Sequence, residues 1–123
     1  MAIPSGSGTE VLKRSFIHAN SNAWTNLITG VADHIYIVLS ITFNEQAGAA
    51  EDIRLRVDTN ASGSNQIAIY GSGLETLPAN GTFVWNDKIV LTGTDQLEVQ
   101  TQASAVVDVY VTYIDQDLSL IHI

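Results

Sequence analysis

Three histidines, His18, His34 and His122, are the first residues to weigh as a source of chemistry, because imidazole titrates near neutrality and ligates metals. No two of them stand at a spacing that puts both on one face of a single element. A metal site would need the fold to converge them. Carboxylates group closely only at Asp115–Asp117 and Glu51–Asp52. Neither group has the loop length or glycine placement of an EF-hand calcium loop, and solvated loop acids are the expected reading. Two carboxylates on separate strands would suffice for glycoside hydrolysis, but nothing in the sequence selects a pair. No serine sits in a G-x-S-x-G elbow. Gly6–Gly8 and Gly71–Gly73 are glycine–serine–glycine turns that introduce no helix, which argues against a phosphate-cradling loop. The chain is expected not to be an enzyme, to carry no catalytic, metal or cofactor-binding residues, and to need no cofactor.

The aromatics offer one further option. Tyr36 and Tyr110 fall on the less apolar face of their strands, beside Thr42 and Thr112. Such a face can stack on a sugar, line a subunit interface or pack across strands. A carbohydrate-binding β-sandwich module is therefore an alternative function.

The elements that must position these residues are strands. From Leu77 to Asp115, four short runs alternate apolar and polar residues, with tight-turn residues between them, the pattern of consecutive half-buried antiparallel strands. Pro78–Gly81 carries the Asn-Gly hairpin signal, Asn86–Asp87 a corner or bulge, and Gly93–Asp95 a second tight turn. Ile89 and Leu91, Leu97 and Val99, and Val107, Val109, Val111 and Tyr113 form the apolar faces. Upstream, His34–Asn44 is the strongest strand, with Ile35, Ile37, Leu39, Ile41 and Phe43 on one side and His34, Tyr36, Val38, Ser40 and Thr42 on the other. Asp52–Asn60 points Ile53, Leu55 and Val57 inward and Arg54, Arg56 and Asp58 outward. It pairs with Gln66–Tyr70 as a hairpin that Gly71–Gly73 ends. Glu10–Asn20 and Ala23–Thr29 complete the set, the first with apolar residues on both faces. No sustained helical period occurs. The expected fold is all-β, an antiparallel β-sandwich, jelly-roll-like, with 8–9 short strands. It divides into a flexible arm at 1–9, a sandwich domain at 10–117 and a C-terminal tail strand at 118–123.

A chain of 123 residues is one domain. It has no cysteine, which excludes disulfides and thiolate metal sites. Thirteen acids against five bases give a net charge of −8, which argues against nucleic acid and against an anionic membrane surface as partners. The opening MAIPSGSGTE has no basic and apolar regions of a secretory signal. The longest apolar stretch, Ile35–Phe43, fits a buried strand rather than a membrane span. The sequons at Asn60–Ser62 and Asn80–Thr82 are read as turns.

Three segments together resemble a family. Pro78–Trp85, Leu91–Val99 and Val106–Tyr113 stand where small virion proteins of tailed bacteriophages carry P-A-G-x-T-x-x-W, then L-x-x-G-D-x-L-x-V, then a final valine-rich strand. The opening I-P-S-G-S-G-T-E-V-L-K resembles the start of such proteins. The resemblance implies a virion structural protein: a capsid decoration (cement) protein on the outer surface of the particle, or a small neck, tail or fibre-associated accessory. It implies a homotrimer whose partners are itself and the major capsid protein or another virion protein, with no small-molecule substrate. The arm and the aliphatic tail would reach neighbours, with Ala2, Ile3, Pro4, Leu118, Leu120, Ile121 and Ile123 as intersubunit contacts.

Overall fold

The computed structural model describes residues 10–102 and 105–120, the side chains of 72–75 and 120 excepted, and sets nine strands in two antiparallel sheets. They are β1 (Glu10–Ala19), β2 (Thr25–Thr29), β3 (His34–Glu45), β4 (Glu51–Asp58), β5 (Gln66–Leu77), β6 (Thr82–Trp85), β7 (Ile89–Thr92), β8 (Gln96–Thr101) and β9 (Val107–Asp117). One sheet runs β1-β9-β3, with β6 and β7 end to end along the far side of β3. The other runs β2-β8-β4-β5. Counted as one strand broken at 86–88, β6 and β7 complete the eight-stranded jelly roll. The all-β sandwich expected from the alternating runs is what forms.

The core lies between the sheets. Phe43, Ile41, Ile53, Leu55, Leu77, Leu91, Leu97, Val38, Val99, Val107, Val109 and Val111 are all but sealed from solvent. Each such side chain contributes roughly 1.5–3 kcal/mol through burial. The inward sets on β4, β7, β8 and β9 follow the sequence alternation.

Several expectations are corrected. The alternation of β3 breaks at Leu39, where the pairing with β9 shifts between Val38 and Ser40. A bulge inserts one extra residue and re-aims everything on one side of it. Tyr36 and Val38 therefore join Ile41 and Phe43 inside, and Ile35 and Ile37 turn out. Gly71–Gly73 does not end a strand: β5 runs on to Leu77 through a bulge at Gly71, whose φ is +74°. Asn80 and Gly81 do form a turn, but the strands they join belong to different sheets, so there is no hairpin there. Among the described strands only β4 and β5 are both consecutive and paired. Asp58 is buried rather than outward, because its carboxylate accepts the Gly63 N–H at 3.1 Å and organises the loop that follows. β1 is largely exposed. At the C-terminus, Leu118–Leu120 is a 3-10 turn where a strand was expected, and Leu118 N–H donates to the Asp33 carbonyl at 2.7 Å. Ala2, Ile3, Pro4, Ile121, His122 and Ile123 lie outside the described residues, as does the whole arm at 1–9.

Candidate functional site

Most of the acids serve the scaffold. Glu45, at the end of β3, is buried and accepts four backbone N–H groups: Ala47 at 2.6 Å, Gly48 at 2.8 Å, Ala49 at 3.2 Å and Asn80 at 2.8 Å. It gathers the β3–β4 and β5–β6 crossovers around one carboxylate. Burial pushes that carboxyl up, but the four donors outweigh it and hold it below its ordinary value. Asp95 plays a similar part for the β7–β8 turn and the Thr59–Ala61 3-10 turn, accepting Thr92 N–H at 3.0 Å and Asn60 N–H at 2.9 Å.

Asp115 is buried and bonds Lys13 Nζ at 2.8 Å and His34 Nδ1 at 2.7 Å. Burial raises its carboxyl; the hydrogen bonds and charges of Lys13 and His34 more than reverse this and hold it low. His18 Nδ1 lies 2.6 Å from Asp108 Oδ1 on the outer surface. The two described histidines are thus separate, His18 against Asp108 and His34 against Asp115, with Asp117 at 3.8 Å from its other ring nitrogen. No group of three metal-ligating side chains forms among the described residues.

Glu51 is the exception. It is buried near Glu45, and its Oε2 has no hydrogen-bond partner among the described residues. Burial first, then the charges of Glu45 and Asp52, push its carboxyl up. A raised carboxyl favours the protonated fold, so above its unfolded pKa of about 4.3 its ionisation opposes folding. Glu51→Gln is expected to raise Tm at pH 7 by about 3 °C, a gain that disappears as pH falls below about 4. Thermal melts of both proteins across pH 3–8 check this; an unchanged or lower Tm at pH 7 refutes it.

With the acids accounted for, the surface that stands out is the outer face of the β1-β9-β3 sheet. Strand register aligns Phe16, Tyr110, Thr42 and Val84 in one row across β1, β9, β3 and β6. Leu12, Ile114, Ile37 and Val90 form a second row across β1, β9, β3 and β7. Arg14, Thr112 and Ser40 lie between them. Leu12 is 68% exposed, Val90 59%, Phe16 56%, Val84 49% and Tyr110 40%. These five side chains present on the order of 500 Å², the size of the largest apolar patch on an ordinary monomer. Between the rows Arg14 is the sole charge, and the His18–Asp108 pair borders them on one side and Glu10 on the other, on a chain of net charge −8. No acid falls in either row.

Tyr110 thus lies where the alternation placed it, whereas Tyr36 is buried with its hydroxyl accepting Val31 N–H at 2.8 Å. The pair cannot form one sugar-stacking face. Sequence reasoning missed Leu12, Phe16, Val84 and Val90, although the signal was there: β1 alternates apolar residues on both faces, and only one face of a strand in a two-layer fold can meet the core.

No protein-family model matches the chain, and no curated protein matches it. Solved structures do resemble it. A chain from the Bacillus endospore appendages, described as disulfide-linked pili, superposes with a TM-score of 0.55 at 12% identity over 89% of each chain. A chain from the acid-stable capsid of Helicobacter pylori bacteriophage KHP30 superposes with a TM-score of 0.52 at 10% identity, over 87% of this chain and 88% of that one. What these likenesses show is the fold. The linkage of the Bacillus pili has no counterpart here, since this chain has no cysteine.

Proposed function

We propose that the protein is a virion structural protein, a capsid decoration (cement) protein on the outer surface of a tailed-phage head. The observation that carries the proposal is the two exposed apolar rows, free of acids, on the outer face of the β1-β9-β3 sheet of an otherwise acidic molecule. Covering an apolar sheet face is a task for a protein partner, and a neutral face meets another acidic subunit without repulsion. Two supports stand beside it: the segment resemblance at Pro78–Trp85, Leu91–Val99 and Val106–Tyr113, and a fold shared with a phage capsid chain. The subunit is a homotrimer in this reading. Ala2, Ile3, Pro4, Leu118, Leu120, Ile121 and Ile123 contact neighbouring subunits, and the face docks on the major capsid protein. Glu10 pairs with Gln116, so the start of β1 and the end of β9 lie at the same end of this sheet.

The test is add-back to particles that lack the protein. Phe16→Asp combined with Val84→Asp is expected to weaken particle binding more than about 100-fold, since interface anchors of this kind contribute at least 2 kcal/mol each. Circular dichroism should stay native, because both side chains are outside the core. Undiminished binding refutes the face as the docking surface. Deleting residues 118–123 should lower the oligomer mass in light scattering, and an unchanged mass refutes the terminal contacts. Imaging of particles labelled at Lys88 is expected to show label on the head; label confined to neck or tail refutes the cement role.

A further inference from the structure

The outer face of the β2-β8-β4-β5 sheet has the opposite chemistry. Trp24, just ahead of β2, reaches across β8 to β4, where the guanidinium carbon of Arg56 lies 3.9 Å from its ring centroid and that of Arg54 5.6 Å. The segment before Trp24 is strapped to β8: Gln100 Nε2 donates to the Asn22 carbonyl at 2.7 Å, and Thr101 Oγ1 to the Ser21 carbonyl at 3.0 Å. Arg54 is anchored by Nε to the Gly71 carbonyl at 3.1 Å and by Nη1 to Gln100 Oε1 at 3.1 Å. Arg56 Nε donates to Glu98 Oε1 at 2.7 Å.

Beside this stack runs a groove of about 160 Å³ lined by Trp24, Arg54, Arg56, Gln66, Ala68 and Tyr70, among others. Among the described residues lining it, both charged ones are positive, on a chain with five bases in all. Glu98 pairs with Arg56, and Asp52, the next outward residue on β4, accepts the Thr76 hydroxyl at 3.1 Å. The Arg56 side chain is only 23% exposed, yet its two terminal nitrogens donate to no described residue. They are not sealed from solvent, and Arg56 lines the groove. A guanidinium fork with both prongs open and its position fixed by a carboxylate and an indole is preorganised for a second carboxylate.

We propose that this groove binds a uronic-acid residue of an acidic saccharide. The carboxylate takes the Arg56 terminal nitrogens, and the pyranose ring sits in the groove at the edge of the Trp24–Arg56 stack with Gln66 in reach of a hydroxyl. The volume suits one hexose ring, and an aromatic surface with a few fixed polar groups is the usual make-up of a small-ligand site. The proposal does not depend on the virion role.

The test is a ¹H–¹⁵N NMR titration of the full chain with methyl β-D-glucuronide, with methyl β-D-glucoside as its uncharged twin. A Kd on the order of 1 mM is expected for the glucuronide, as suits a ligand of this size, and binding about tenfold weaker or worse for the glucoside. The indole N–H of Trp24 and the Nε–H of Arg56 should move, and that of Trp85 should not. Arg56→Lys, which keeps the charge and loses the fork, should weaken binding about tenfold. The wild-type shifts locate the site whatever the variant does to the fold. An unmoved Trp24, equal binding of the glucoside, or equal binding of a tetra-aspartate peptide overturns the proposal.

Discussion

Glu45→Ala is expected to lower Tm by about 10 °C, because a buried residue is removed on which four otherwise unpaired N–H groups depend. Three of those donors, on Ala47, Gly48 and Ala49, turn the chain out of β3 toward β4. The fourth, on Asn80, belongs to the turn before β6. Without the carboxylate each donor must find water at the rim of the core or stay unpaired. Both crossovers loosen together, so hydrogen exchange should accelerate at 47–49 and at 80 in one step. The pH response follows from the depressed carboxyl. Its stabilisation is fully present above the unfolded pKa of about 4.3 and is lost as pH falls through the lower folded value. The variant should therefore show a shallower loss of stability in acid than the parent. A Tm within 2 or so degrees of wild type, by calorimetry at pH 7, refutes this role.

Gly71→Val is expected to cost about 4 kcal/mol. Two costs add. At φ +74° an L side chain is strained, and a Cβ built there runs into the Ile53 carbonyl oxygen, with the Arg54 Cα close behind. These atoms are backbone of β4, which is held on its other side by β8, so they have no room to yield. The neighbouring Gly71 carbonyl also takes the Arg54 Nε–H, so a shifted bulge would unseat the Arg54 anchor as well. Urea titration reads the result, with the midpoint falling and the slope unchanged. Gly71→Ala should lose most of the same amount, whereas Gly63→Ala, at φ +72° with nothing within 4 Å, should lose only the conformational part. Equal losses at the two positions would show that the contact with Ile53 plays no part.

How much of this was legible depends on the element. The apolar inward residues of β4, β7, β8 and β9 keep a period of two, and alternation found them. In β3 the same rule failed at Leu39, since both faces of the run are β-branched or aromatic and nothing in the residue types marks an inserted position. Tyr36 was misplaced for that reason alone. Asn80 and Gly81 gave a true turn signal and a false partner: turn chemistry is local, and which sheet receives the next strand is decided by long-range packing. Gly71 carries two conformational meanings, strand end and bulge, and only the neighbouring strand distinguishes them. The apolar outer face was harder still. Its rows run across four strands distant in sequence, so it exists only once register is set. Trp24 and the two arginines of β4 were visible as residues, but their stacking depends on a strap whose anchors are single hydrogen bonds to β8.

The first sheet has two edges of unlike form. β1 runs ten residues, while the opposite edge is two pieces of four, interrupted at 86–88. In strand-pairing terms the sheet is monovalent. A second copy can lie along β1, but no run of comparable length remains on the far side to take a third. Such pairing terminates at two subunits, whereas a growing fibre requires each subunit to be donor at one edge and acceptor at the other. Crowded copies of this protein can stick edge to edge only in pairs through this sheet, and larger order has to be built through faces and termini.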